Sequence, residues 1–321
     1  MSAEPSPPPR PARAELAAPL ARSFEWLVSL RGPDGRLVCP EHRVEHSGKN
    51  AGALVTALEL ARDAEPAERA RLEELALALG RRLVALLERE GTSPCFTFRP
   101  GRHDPFNCSN SVIDGGACAD ALGDLARQLA GRRDAAELAP FAEASLRHAR
   151  TYLRYAVLDK GVPAQRAWGL TGLASAWRCE RDPLLREAAL AAVELLAGVQ
   201  HADGSYPYHP LAWGAEHPGS SDVSAYYQSR VTAFLIRALE DLELDPRAPE
   251  LAPQLVRGLD FLAGLHGPDG VKCGLVEAKP WYWGATYEVA SHPFDVYALA
   301  AGWRSGRRKS NLSVMCNLFK K

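Results

Sequence analysis

A few carboxylates, one histidine and a crowd of aromatic rings are the side chains of this sequence whose types and spacing point to chemistry. Asp114 stands in FNCSNSVIDGG, Glu288 closes KPWYWGATYE, and His292 and Asp295 share SHPFDVYAL. Two acids, or a histidine or tyrosine with an acid, supply the donor and acceptor of general acid–base catalysis. Around them lie hydrogen-bonding groups: Arg99, Arg102, His103, Asp104, Asn107, Asn110 and Arg230. The segments SYPYHPLAW and KPWYWGATYE add Tyr206, Tyr208, Trp213, Trp281, Tyr282, Trp283 and Tyr287. Flat rings stack on the apolar faces of sugars as well as on isoprenoid chains, so aromatics alone select neither. Their polar neighbours do select, because a hydroxyl-rich or anionic substrate needs many hydrogen-bonding partners and an oily one needs few. The expected acid–base set is Asp114, Glu288, His292 and Asp295, and the expected substrate contacts are Arg102, His103, Tyr226, Tyr227, Arg230, Trp281 and Trp283.

Each of these residues also has a structural reading. Ser111-Val-Ile-Asp114 has the spacing of a capping box. His292 before Pro293 fits a helix N-cap. The aromatics can hold long loops onto the fold. Tyr226 and Arg230 are four apart and share a helix face, and a buried guanidinium there requires a carboxylate or an anionic ligand. Cys39, His42 and His46 have ligand-like spacing without a fourth ligand, and Cys95, His103, Cys108 and Cys118 match no ligand pattern. Scattered thiols are the expectation, with no metal and no other cofactor.

Composition narrows the classes without selecting a function. The chain has 321 residues, 46% hydrophobic and 24% charged, with net charge −1. That balance argues against phosphate-neutralising nucleic-acid binding and against electrostatic membrane binding. The expected partner is a small molecule or an oligosaccharide. No apolar stretch reaches the roughly 18–20 residues of a membrane span. Residues 1–14 are Pro-rich without the apolar core of a signal peptide, and read as a disordered leader. Seven cysteines, an odd number, fit reduced thiols and a cytoplasmic setting. Lysine is scarce, yet Lys309, Lys320 and Lys321 crowd into residues 306–321, a basic tail whose composition breaks from the body.

Between residues 15 and 305 the chain reads as one helical domain. RLEELALALGRRLVALLERE, LLREAALAAVELLAGVQ and SRVTAFLIRALEDLE place apolar residues at helical spacing, and alternating β-branched runs are essentially missing. FEWLVSLRGPDGRL, LLAGVQHADGSYPY and DFLAGLHGPDGVKC repeat one design, a helix end followed by an Asp-Gly turn. Second helices begin near HSGKNAGALVTALELA, SNSVIDGGACADALGDLA, VPAQRAWGLTGLASAW, SSDVSAYYQSRVTAFLIRAL and SHPFDVYALAAGW. They are small and apolar on most sides, whereas the first helices carry a charged stripe. Five helical hairpins in series predict an all-α fold, an α/α toroid, one hairpin short of six. In such a toroid the N-termini of the second helices gather at one mouth, where their dipoles favour negative charge.

LLAGVQHADGSYPY resembles the Gln-rich turn motif of terpenoid cyclases and protein prenyltransferase β subunits. Six-hairpin glycosidases, lyases and sugar epimerases share the general toroid shape, and the chain is similar to them in architecture. The prenyltransferase resemblance implies a zinc held by an aspartate, a cysteine and a histidine. Asp222 and His292 match two of these, but Ser224 or Ala225 stands where the cysteine belongs, which puts zinc-dependent prenyl transfer in doubt. Neither Asp-x-Asp-Asp nor Asp-Asp-x-x-Asp occurs, which weakens a cyclase reading. The function expected is acid–base chemistry on a polysaccharide or glycan precursor, as a lyase, hydrolase or epimerase. A terpenoid cyclase or prenyltransferase-like enzyme and a non-catalytic glycan- or protein-binding toroid are the alternatives.

Overall fold

A computed structural model describes residues 13–38, 45, 47–90, 93–96, 109–159, 161–207, 223–267, 271–272 and 291–304. Side chains are described within these stretches except at 13–19, 88–90, 93–96, 109–111, 292 and 303–304. Helices account for nearly all of the regular structure. In chain order they are α1 (Arg13–Ser29), α2 (Ser47–Ala61), α3 (Pro66–Ala85), α4 (Ser109–Leu129), α5 (Ala135–His148), α6 (Arg154–Asp159), α7 (Pro163–Glu180), α8 (Pro183–Val199), α9 (Ala225–Asp241), α10 (Ala252–Gly264) and α11 (His292–Arg304). The five expected second helices are α2, α4, α7, α9 and α11, and each starts within a few residues of its predicted place.

One helical run ends early. The sequence predicts helix through Glu90, but α3 stops at Ala85, where the Leu86 N–H bonds the carbonyls of Arg82 and Leu83. Leu87–Glu90 (β1) then pairs antiparallel with Ser93–Phe96 (β2), Glu90 opposite Ser93. Pro94 explains why the helix does not continue, since proline lacks the N–H that a helix interior needs. A second unpredicted feature is a π-helical turn, Ala149–Leu153, between α5 and α6.

The chain forms two compact units. One comprises Glu15–Lys160 with Trp168–Ala192; the other comprises Gly161–Ala167 and the described residues up to Ala14 and from Val193 onward. In the first unit Leu54, Leu58, Leu77, Leu83, Leu122, Leu125 and Phe141 are buried in a common core. Small residues let α4 and α7 touch through their backbones, since a Cβ on Gly172 would lie 2.5 Å from the carbonyl oxygen of Gly116. That close approach explains Gly116, the second glycine after Asp114, as a helix-crossing requirement.

The repeated turns share one backbone frame. In the first, Gly32 N–H bonds Arg36 O at 2.9 Å and Gly35 takes a φ of +79°. In the second, His201 N–H bonds Ser205 O at 2.9 Å and Gly204 takes a φ of +94°. In the third, Gly267 N–H bonds Val271 O at 2.8 Å. The residue after each turn is driven inward: Leu37, Tyr206 and Lys272 are all buried. The carboxylates of Asp34 and Asp203 each accept the backbone N–H two residues on, which is why this position prefers aspartate.

Candidate functional site

Among the described residues of the second unit, Tyr226, Tyr227, Arg230 and Asp295 gather where α9 meets α11. The second of these helices opens with His292 and Pro293, whose fixed φ suits a first turn. Ser291 precedes it and accepts the N–H groups of Phe294 and Asp295 at its carbonyl, so Ser291, rather than His292, stands at the cap position. Asp295 is fully buried. Its carboxylate lies 3.0 Å from Lys272 Nζ through Oδ2 and accepts from the same ammonium at 3.3 Å through Oδ1. Lys272 also donates to Ala225 O at 2.9 Å, to Ser291 Oγ at 2.7 Å and to Ser229 Oγ. His266 pairs with Lys272 across the third turn as an antiparallel bridge. Its Nδ1 donates to Leu262 O at 2.9 Å, and its Nε2 lies 3.4 Å from Asp295 Oδ2.

Arg230 is buried one turn further along α9. Its guanidinium carbon sits 3.3 Å from the centre of the Tyr226 ring and 4.4 Å from that of Phe294. Nη1 also donates to Tyr226 O at 3.1 Å. The face shared by Tyr226 and Arg230 is therefore occupied by cation–π stacking against α11, an attraction that grows as water is excluded. Tyr227 meets the Tyr226 ring edge-on at 5.1 Å. The Ser224 hydroxyl accepts Tyr227 N–H at 3.3 Å and caps α9. At the position where the prenyltransferase resemblance asks for a zinc thiolate, this chain has a helix cap.

Asp114 belongs to the first unit. It is buried on α4, whose first residue is Ser109, so Ser111 lies inside the helix and the capping-box reading gives way. One turn on, burial pushes the Cys118 thiol well above its ordinary range, and the Asp114 charge adds to that push against a hydrogen bond with Ser47. The thiol is thus an inert core group rather than a nucleophile. The next residue, Gly115, leaves space for a buried histidine: a Cβ there would lie 2.2 Å from His148 Nε2. The His148 ring stacks on Tyr152 with centres 5.5 Å apart.

Of the remaining predicted site residues, Arg102, His103, Trp281, Trp283 and Glu288 lie outside the described residues, as do Asp222, Cys39, His42, His46 and Cys108. His292 is placed by its backbone alone. Among the described residues no three His, Cys, Asp or Glu side chains converge on a metal position. Sequence reasoning passed over Lys272, His266, Ser229 and Ser291. The signal was available: Lys272 is one of only seven lysines, and it follows the third Asp-Gly turn at the position that is buried in the other two.

The Gln-rich turn behind the terpenoid-cyclase resemblance has a structural explanation. Gln200 Nε2 donates to Gly204 O at 3.1 Å and to Gln254 O at 3.0 Å, while its Oε1 accepts from Arg257. Gln228 Oε1 accepts Tyr206 N–H at 2.9 Å, and Gln254 Nε2 donates to the Tyr206 hydroxyl at 3.0 Å. Three glutamines clamp the turn to α9 and α10.

An all-α chain of serial helical hairpins with Asp-Gly turns has the α/α-toroid fold. The fold is shown by a match to the solved structure of cellobiose 2-epimerase from Spirochaeta thermophila DSM 6192, with a TM-score of 0.64 over 97% of this chain and 85% of that one at 14% identity. At 14% identity this likeness shows the fold alone. No family model matches the chain. No curated protein matches it by sequence. No helix among the described residues is long and apolar enough to cross a membrane.

Proposed function

We propose that the chain is a carbohydrate-active enzyme that performs general acid–base chemistry on a sugar or glycan precursor. The observation that carries this reading is the likeness to cellobiose 2-epimerase over 97% of the chain. The hydrogen-bonding and aromatic residues around the predicted mouth support it, because sugars are held by rings below and polar groups around. Asp114, Glu288 and His292 are the acid–base candidates; Asp295 is already engaged by Lys272. Arg102, His103, Tyr226, Tyr227, Trp281 and Trp283 are the proposed substrate contacts, and Arg230 orders the Tyr226 ring. A base that removes the proton beside a sugar carbonyl and an acid that returns one to the opposite face would epimerise it. A base paired with a better leaving group would eliminate, and an acid paired with water would hydrolyse.

Incubation in D2O with cellobiose and a panel of reducing oligosaccharides tests the proposal. Epimerase chemistry places deuterium at C2, lyase chemistry yields an unsaturated product, and hydrolysis yields new reducing ends. Saturable binding without any of these products would make the chain a glycan-binding toroid. Neither binding nor turnover across the panel would overturn the carbohydrate reading.

A further inference from the structure

Lysine is the least expected side chain to find buried, and Lys272 is almost wholly enclosed. Its ammonium has three protons and four acceptors within reach: Ala225 O, Ser229 Oγ, Ser291 Oγ and Asp295 Oδ1. Ser229 Oγ directs its own proton to Ala225 O at 2.9 Å, which leaves its lone pairs to the lysine. An environment made of acceptors is that of a cation, and the cation faces a fully buried carboxylate. This arrangement excludes a serine nucleophile activated by a lysine base, because the amine has no lone pair to accept a proton. The acceptors come from three places in the chain: the first turns of α9, the residue before α11, and the first turn of α11.

We propose that Lys272 is a positioning residue, a buried ionic clasp that fixes the start of α11 against the start of α9, with Asp295 as its counter-ion rather than an acid–base group. The clasp joins Lys272 directly to Ser291, the two ends that bracket residues 273–290, and to Asp295. It therefore fixes the separation of those ends and the entry of α11, whose first residue is His292. His266 completes the enclosure, with Nδ1 committed to Leu262 O and Nε2 turned to Asp295. The inference rests on the acid–base reading only in removing Asp295 from the catalytic set; the clasp itself is independent of any substrate.

The test uses the full chain with Lys272→Met, Asp295→Asn and the double variant. Each single change strands a buried charge or its acceptors, and should lower the folding equilibrium constant, measured by urea denaturation, by about a hundredfold or more. The double variant should recover at least about tenfold of that loss, because no uncompensated charge remains. Additive losses in the double variant would overturn the clasp. With a sugar turned over as proposed above, the double variant should retain both limbs of the pH–rate profile with an altered KM or kcat. Loss of one limb in both Asp295 variants would make Asp295 an acid–base group and overturn its role as counter-ion. Should the single variants not fold, acetylation of the native chain by acetic anhydride, read by mass spectrometry, decides: Lys272 should stay unmodified while the half-buried Lys49 reacts. Equal labelling of the two would overturn the proposal. Absence of turnover by the parent chain touches the functional reading alone, since the denaturation and labelling results need no substrate.

Discussion

The turns at 200–206 and 266–272 have one backbone frame and opposite chemistry. In each, the residue after the turn is driven inward, so its polar atoms must find partners away from water. At the first, Tyr206 meets Gln228 and Gln254, so its own bonding partners are neutral amides. At the second, Lys272 meets a carboxylate and two serines, and the network holds two full charges. A neutral network loses about 1–3 kcal/mol for each group left unsatisfied. An ionic one loses about 3–5 kcal/mol when one partner is removed, because a bare charge is left behind. The frame thus imposes burial, while the identity of the buried residue decides how sharply the region depends on its partners.

The comparison is broken or sharpened first at the glycines. Gly204 has a φ of +94°, and a Cβ there would come within 2.0 Å of the Arg257 carbonyl oxygen. Backbone cannot yield as a side chain can, so Gly204→Ala should destabilise the fold by about 4 kcal/mol or more. Gly35 has a similar φ of +79°, but the nearest atom to its Cβ position is the flexible Arg31 guanidinium at 3.2 Å. Gly35→Ala should cost about 1–2 kcal/mol from backbone strain alone. Urea denaturation of the two variants separates the effects; equal losses would show that φ, and not the clamp onto α10, governs these turns.

A smaller effect tests the neutral network itself. Gln228→Leu removes the acceptor for Tyr206 N–H and one donor to Gly204 O while keeping similar bulk. The expected loss is about 2–3 kcal/mol by urea denaturation. A loss as large as that of Lys272→Met would mean that charge is not what distinguishes the two turns.

The fold was legible in the sequence because its determinants are local. Asp-Gly turns mark where helices end, and Ala-, Gly- and Leu-rich runs mark the second helix of each hairpin, so α2, α4, α7, α9 and α11 fall where they were expected. The β1–β2 hairpin was hidden because Leu87–Glu90 carries good helix formers, and only Pro94 signals that the helix does not continue. Candidate site residues were legible as types but not as roles. Nothing in SHPFDVYAL says that Asp295 is already paired, because its partner Lys272 stands beyond the intervening residues 273–290 and reaches it only through tertiary structure. Arg230 and Tyr226 were correctly placed on one face, yet the Phe294 ring that completes their stack comes from another helix. Spacing within a helix is a property of sequence; partnership between helices is not.

The finest distinction between the two turns lies in a single hydroxyl. Tyr206→Phe removes only the oxygen that accepts from Gln254 Nε2, and leaves that amide donor buried without it. The loss at neutral pH should be about 1 kcal/mol. Burial pushes the Tyr206 hydroxyl well above the ordinary tyrosine range, against the opposing pull of the Gln254 bond and the nearby Arg257 charge. The folded chain therefore holds that proton more tightly than the unfolded chain does. Stability from the neutral hydroxyl is complete below the unfolded value of about 10, and is lost as pH rises beyond it. Phenylalanine has nothing to ionise. The deficit of Tyr206→Phe relative to the parent should shrink, then reverse, as urea denaturation is repeated from neutral pH to about pH 11. A deficit that stays constant across that range would mean that water reaches the hydroxyl in the folded state, and the turn at 200–206 would then not be the sealed neutral counterpart of the turn at 266–272.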